Sequence, residues 1–538
     1  MLKILIMQGK SSDLPFAFPV VNYTFKWQHP NKKTVHINLT IVSWLTVSMY
    51  SPWFQLCFGY FLFANVFNDK AFDYLTKSCY TAIVIKDIFM KIKLSDHFTI
   101  KKLLNATLPT ITMMVFISIY SIVDGVFIAN FAGASAFSGI NLIFPVIMII
   151  GAVGFMLGTG GSALVSNLLG EGKKQRANQV FTMTLYFTII LGVVLSVIVF
   201  LLIEPLTYLM VKIGGQEVSQ EMIDSAIVYG RLLTVFQVAF MVQNYFQSLF
   251  IVAEKANLGF GVTVIAGCCN IVLDALLVGL FKWGVVGAAV ATGISQCVGA
   301  IIPVVYFAKD NPSLLKFAST KLEIRVLGQA SLNGSSEFVS NVAMSIISIL
   351  FNIQLLKYVG EKGVAAYGVI CYAGFIFSAI FFGYIMGTAP VIGYHNGAKN
   401  HDELKSLLRK SLLILAVFSA VIVTVIQLFA RPLSSIFANG DKELLDITTH
   451  GFKLYGWSFA LSGFCIFSSG FFTALNDGVT SAIVSFLRTL VFQIIFVWVL
   501  PLAWGLNGVW LSIVVAECCS IVVCFVCFVV NRKKYQYA

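Results

Sequence analysis

From Asn105 onward the chain alternates long apolar runs with short polar breaks, and each run is about as long as a membrane is thick. A hydrocarbon core about 30 Å across takes about 20 helical residues at 1.5 Å rise. The pattern predicts twelve such helices, at 105–131, 138–163, 179–204, 224–250, 258–281, 284–308, 326–356, 364–392, 410–430, 452–474, 478–502 and 507–530. Residues 1–97 do not share this texture, because Trp27, Trp44, Trp53 and many other aromatics crowd a segment of mixed charge with no steady period. Ile37 to Phe67 is apolar enough to span, but Pro52 near its centre and the polar-aromatic stretch after it make a poor match to the regular helices. We read 1–97 as an atypical extension outside the helical core. MKIKLSDHFTIKKLLNATLP, from Met90, is a basic amphipathic lead-in that would serve as a start for that core.

The twelve runs divide into two sets of six. GTGGSALVSNLLGEGKKQRA (Gly158–Ala177) has a counterpart in MGTAPVIGYHNGAKNHDELK (Met386–Lys405), and WGVVGAAVATGISQ from Trp283 is echoed by WGLNGVWLSIVVAE from Trp504. The order and spacing of both matches imply a duplicated six-helix unit with its copies in one orientation, a plan of transporters that rock about a central cavity. The first lobe is then 98–308, the polar stretch 309–325 is a linker, and 326–538 is the second lobe with a basic tail.

Composition narrows the class. With 58% apolar and 11% charged residues and a mean hydropathy of +0.88, the chain lies outside the range of soluble domains and reads as a multi-pass protein of the cell membrane. The net charge of +12 does not indicate a nucleic-acid partner, because the cations collect on alternate loops. Lys173, Lys174, Arg176, Lys316, Arg325, Lys399, Lys405, Arg409, Arg532 and Lys533 fall on one side, which the positive-inside rule makes cytoplasmic, together with both ends of the twelve-helix unit. The eleven cysteines lie almost wholly in apolar runs without metal or redox spacing, and read as small hydrophobes. His395 and His401 flank a basic turn and are expected to be solvated. HExxH and GxSxG motifs, paired acidic metal motifs and membrane-depth histidines are absent from the sequence, so no enzyme is expected.

Candidate chemistry sits inside the runs. Asp124 and Asp274 are each the sole charge of a helix, and an intramembrane acid is costly enough to point to the passage of protons, ions or substrates. Counting rise from the helix ends, Asp124, Asp274 and Thr292 all lie roughly 10–12 Å below the same surface, and Asn270 shares a face with Asp274 one turn deeper. Two carboxylates, an amide and a hydroxyl suit a hard cation such as Na+, and the acid pair could equally hold a proton. Glu337 is near the midplane of helix 7, where it could receive a cationic substrate or a proton, or pair with Arg488 or Lys357. Arg488 and Glu517 read as a structural pair. Tyr120, one turn before Asp124, and the amides Gln243, Asn244 and Gln247 on helix 4 would suit a cavity for large flat cations.

YSIVDGVFIANFAG (Tyr120–Gly133), LVSNLLGEG ending at Gly172, NIVLDALLVGLFKWGVVGAAVAT (Asn270–Thr292), LLKYVGEKGVAAYGVICY (Leu355–Tyr372) and GYHNGAKN (Gly393–Asn400) together resemble the multidrug and toxic compound extrusion (MATE) family. The resemblance covers about Lys91 to Ala538, leaves the first 90 residues without a place, and is strongest to the bacterial branch that exports cationic drugs. It implies an all-α polytopic fold of twelve transmembrane helices in two lobes forming a V. It also implies export of small organic cations by alternating access in exchange for inward H+ or Na+, without a cofactor, by a monomer in the bilayer. Asp124, Asn270, Asp274 and Thr292 occupy the family's coupling places, whereas helix 10 lacks the acid that some members carry. Pro109 and Gly125 would ease a bend of helix 1 during coupling. A flippase for lipid-linked oligosaccharides, which related folds provide, is the alternative; few intramembrane Arg or Lys residues are present to hold its pyrophosphate.

Overall fold

The computed structural model describes residues 5–6, 20–28, 34–42, 93–131, 134–214, 218–435 and 441–537. The chain forms two compact units, divided between Val84 and Ile85. In the first, strands β1 (Leu5–Ile6), β2 (Val20–Gln28) and β3 (Thr34–Val42) make an antiparallel sheet in that order, with Val20 opposite Val42 and Gln28 opposite Thr34. The apolar stretch considered above as a span therefore begins inside β3, and its remainder, 43–67, lies outside the described residues.

The second unit is helical. α1 (Ile100–Phe131), α2 (Ala134–Gly170), α3 (Lys174–Gly214), α4 (Gln220–Val252), α5 (Ala256–Asp274, continued by a π-helical turn Ala275–Leu280) and α6 (Gly284–Ala308) make the first lobe. The second has α7 (Ile324–Val359), α8 (Glu361–Gly397), α9 (His401–Ser435) and α10, built from Lys442–Gly456 and Phe459–Ala474, which are bent by 49°. A final helical tract of 58 residues, Gly478–Tyr535, would be about 87 Å long if straight, nearly three times the hydrocarbon thickness. Gly505, at φ 54° and ψ −132°, breaks it. α11 is thus 478–504, with a π turn at Leu487–Val491, and α12 is 506–535. Twelve spans result among the described residues. Helices suit an apolar solvent because most of their backbone hydrogen bonds are made within the segment.

The duplication is written into the backbone corners. Gly172 and Lys399 follow α2 and α8 with positive φ, Glu254 and Asn476 follow α4 and α10 in the same way, and Gly284 and Gly505 both take φ 54° where α6 and α12 start. The helix-closing hydrogen bonds match too. Lys173 N–H donates to Leu168 and Asn400 N–H to His395, both at 2.9 Å, while Lys255 N–H donates to Phe250 at 2.8 Å and Asp477 N–H to Phe472 at 2.9 Å. These are the bonds that close a helix with a left-handed residue.

The lobes meet most closely in the half of the bundle nearest the linker, which runs between Ala308 and Ile324. There glycine removes the side chain from each crossing. A Cβ on Gly160 would lie 1.9 Å from the Ala330 carbonyl, one on Gly334 1.8 Å from that of Met156, and one on Gly397 2.1 Å from that of Asn167. Asn167 Nδ2 donates to the Ala474 carbonyl at 2.9 Å and Asn396 Nδ2 donates to Asn167 Oδ1 at 2.7 Å, tying α2 to α8 and α10. The linker is fixed along α3: Arg176 grips Glu323 through two bonds of 2.7 and 2.6 Å, and Phe317 stacks on Phe181 at 5.5 Å.

Residues just before α1 hold both lobes. Leu94 N–H donates to Glu254 of the first lobe at 2.8 Å, while Phe98 N–H donates to Glu403 of the second at 2.9 Å. His97 Nδ1 lies 2.5 Å from the other Glu403 oxygen, and Lys410 donates to the Phe98 carbonyl. Burial pushes the Glu254 carboxyl above its ordinary range, against the Leu94 N–H. Leu94 and Phe98 are buried, so the lead-in packs as part of the helical unit, and the boundary of that unit lies before Leu94 instead of at residue 97.

Candidate functional site

Polar side chains of four helices converge on one place in the first lobe. Asp124 of α1 interacts with Asp274 and Asn270 of α5, and Tyr229 of α4 faces both carboxylates beside Thr292 of α6. Tyr120 stands next to Asp124 on the α1 face. Asp274 is wholly inaccessible and Asn270 nearly so. Both Asp274 oxygens, one Asp124 oxygen, Asn270 Nδ2 and Thr292 Oγ1 are buried without a hydrogen-bond partner. No Lys or Arg forms an ion pair with either aspartate among the described residues.

Such an arrangement has a plain chemical meaning. Buried polar atoms are normally satisfied, and two carboxylates in a low dielectric repel strongly. A cation held between them, or a proton carried by one, relieves that repulsion. The carboxylates, the Thr292 hydroxyl and the Asn270 amide oxygen make an all-oxygen ligand set, which fits a hard cation. A site of three or more His, Cys, Asp or Glu ligands does not occur among the described residues. Asp274 is also the last residue before the π turn Ala275–Leu280, a local widening often found at functional positions.

The sequence grouped Tyr120, Gln243, Gln247 and Glu337 in one substrate cavity, and the structure separates them. Tyr120 packs against Gly267 of α5 beside Phe116, and the Gln243 amide lies against Gly299 of α6. Both are therefore inside the first lobe, with Gln243, Asn244, Gln247 and Gln296 carrying buried unpartnered amide atoms there. Only Glu337 reaches the cavity of about 200 Å³ between the lobes, together with Thr159, Ser162, Ser340, Asn341 and Thr473. It is the one charged residue in that lining. Behind it Arg488 clamps Glu517 through Nε at 3.0 Å and Nη2 at 2.8 Å, as the structural reading of that pair expected.

Two further residues correct or extend the sequence reading. His395 is 2% exposed rather than solvated, because Phe98 covers it edge-on at 6.4 Å. Tyr229 went unnoticed as a member of the buried acid cluster. The depth count would have found it, since it lies about 14 Å along α4 from the same surface, but tyrosine reads as one more aromatic in a chain with 48 Phe and 19 Tyr.

Comparison with known proteins agrees with this architecture. The model of the MatE family matches residues 109–276 and 338–499. The chain is 24% identical over 443 residues to the multidrug export protein MepA of Staphylococcus haemolyticus, covering 80% of this chain and 94% of that protein. MepA of Staphylococcus aureus strain NCTC 8325 is 24% identical over 422 residues, covering 78% and 90%. Among solved structures, a MATE protein in complex with MaL6 superposes with a TM-score of 0.76 at 23% identity, over 82% of this chain and 97% of the other. A transporter of the MOP superfamily from Pyrococcus furiosus, described as having a binding pocket of reverse polarity, superposes with a TM-score of 0.75 at 23% identity and the same coverage.

Proposed function

The chain belongs to the MatE family, and from that premise we propose that it is a secondary active multidrug exporter that expels organic cations in exchange for inward H+ or Na+. The observation that carries the coupling half is the set of unpartnered oxygens on Asp124, Asp274 and Thr292, gathered from three helices into one buried place. The substrate half rests on the interlobe cavity, whose single charge is the acid Glu337. An anionic, largely apolar wall attracts lipophilic cations. The naming of its relatives as multidrug export proteins supports the same reading.

The mechanism follows from differential binding. The linker face, rich in Lys and Arg, is the cytoplasmic one by the positive-inside rule, and the Asn167 bonds then close the cytoplasmic side of the cavity. A proton or Na+ arriving at Asp124 and Asp274 must favour the opposite opening, or no coupling results. α1 is suited to carry the signal, because it bears Asp124 near one end and Thr110, which donates to the Gly383 carbonyl of the second lobe at 2.7 Å, near the other.

The test is ethidium efflux from energised vesicles under separate Na+ and H+ gradients, with wild type beside Asp124→Asn. One gradient should drive efflux, and the substitution should reduce it by at least 100-fold. Efflux indifferent to both gradients and to the substitution would overturn the coupling assignment and favour a lipid flippase.

A further inference from the structure

The second lobe holds a charge arrangement that the coupling mechanism does not use. Glu337 lines the interlobe cavity, and the charged group acting on it is Arg488. Arg488 makes no ion pair with Glu337; its guanidinium is bound by Glu517, with side chains only 14% and 2% exposed. The π turn Leu487–Val491, which carries Arg488, packs against α7, the helix of Glu337. One guanidinium thus lies near two acids and is bonded to only one of them. In a low-dielectric wall the charges felt by a ligand are summed over several ångströms, and with both acids ionised this sum is one negative unit.

We propose that Arg488, held by Glu517, is a specificity-determining residue that sets the cavity wall at a single negative charge, matching it to singly charged organic cations and disfavouring doubly charged ones. The inference rests on the cation-export reading. It assigns Arg488 no contact with substrate. Its role is positional: clamped by Glu517, the guanidinium offsets one carboxylate without swinging across to neutralise Glu337. Specificity of this kind depends on a difference between two affinities and not on either alone.

Ethidium and propidium make a matched pair of probes, since they share one aromatic cation and propidium carries a second ammonium group. Fluorescence titration of the full chain in lipid nanodiscs gives the ratio of their Kd values. Wild type should favour ethidium. Arg488→Met leaves two uncompensated acids and should shift the ratio toward propidium by at least tenfold. Glu517→Gln frees Arg488 to pair with Glu337 and should weaken both dyes by about tenfold. The double variant Arg488→Met with Glu517→Gln has the wild-type net charge again and should return to ethidium preference; a purely structural role would weaken both dyes together in Arg488→Met and would not shift their ratio toward the doubly charged one. The double variant also loses both members of the buried pair together, so it serves as the test should a single variant fail to fold. An unchanged ratio in Arg488→Met, or a double variant that keeps the propidium shift, would overturn the proposal while leaving cation export intact. Saturable binding of neither dye by wild type would overturn the export reading and this inference with it.

Discussion

The two lobes share a scaffold but not a chemistry. The matched corners at Glu254 and Asn476 and at Gly284 and Gly505 bracket the equivalent helices α5 and α11. Carrying Asp274 across by either spacing lands on Ile495 or Phe496, Asn270 lands on Val491 or Phe492, and Thr292 lands on Ile513. The second lobe has thus no polar cluster at the corresponding place. Its charges lie elsewhere and are compensated: Glu517 by Arg488, with Glu337 left facing the cavity. The first lobe buries two acids with no cation beside them. On the proposed reading, a duplicated fold has divided its labour, one copy taking up a small ion and the other presenting a fixed charge to a large ligand.

That contrast should appear most sharply in stability. Removing Arg488 alone strands Glu517 as an unpaired charge in the bundle, and Arg488→Met should destabilise the folded protein by about 3–5 kcal/mol. Asp274→Asn should do the opposite, because it removes one of two mutually repelling buried carboxylates; a gain on the order of 1–4 kcal/mol is expected, with loss of ion-driven efflux. Thermal unfolding of both variants in detergent checks the pair. Equal destabilisation by the two would mean that the first-lobe acids are held by partners, contrary to their bare oxygens.

Much of this was legible in the sequence, for reasons that also mark the limits. Hydropathy and length give the spans because a bilayer imposes both. Helical rise gives depth, so Asp124, Asp274 and Thr292 could be placed in one layer, with Asn270 one turn deeper on the face of Asp274, before any contact was known. Rotation about the helix axis is harder to read when a helix is apolar all round. Gln243 and Gln247 could have faced the cavity or α6, and the decisive feature is Gly299, which lets α6 close against Gln243. His395 was misjudged because its cover, Phe98, lies about 300 residues away at the start of the other lobe, and only the fold brings the two together.

The lobe contact itself offers a smaller perturbation. Gly160→Ala would set a methyl 1.9 Å from the Ala330 carbonyl, so α2 and α7 must separate. Overpacking of this kind should cost about 1–3 kcal/mol. It should also favour opening on the linker face, read as faster labelling of a cysteine placed at Asn396. Unaltered labelling would mean that the lobes do not part along this crossing.

The smallest expected effect concerns the tail of the second lobe. Asp477 caps α11 by accepting from Thr480 N–H at 3.3 Å, and its other oxygen accepts from Tyr535 at 2.9 Å and Lys534 at 3.1 Å. Burial pushes its carboxyl upward, but the bonds from Tyr535, Lys534 and Thr480 outweigh it and hold it below the ordinary value of 3.8. The sign follows: a depressed carboxyl contributes stability above pH 3.8, and that contribution is lost as pH falls through the lower folded value. Asp477→Asn keeps the cap oxygen and replaces the charged oxygen that accepts from Tyr535 and Lys534 by a neutral NH2. Because Lys534 is 60% exposed, water screens the pair, and the cost should be a few tenths of a kcal/mol. Asp477→Ala removes the cap as well and should cost about 1 kcal/mol. Proteolysis of the tail between pH 3 and 7 distinguishes the two contributions, because only the charge contribution should vary with pH. The first lobe has at the matching corner Lys255, which makes no side-chain cap bond, so reversing its charge should leave α5 stable to within about 0.5 kcal/mol.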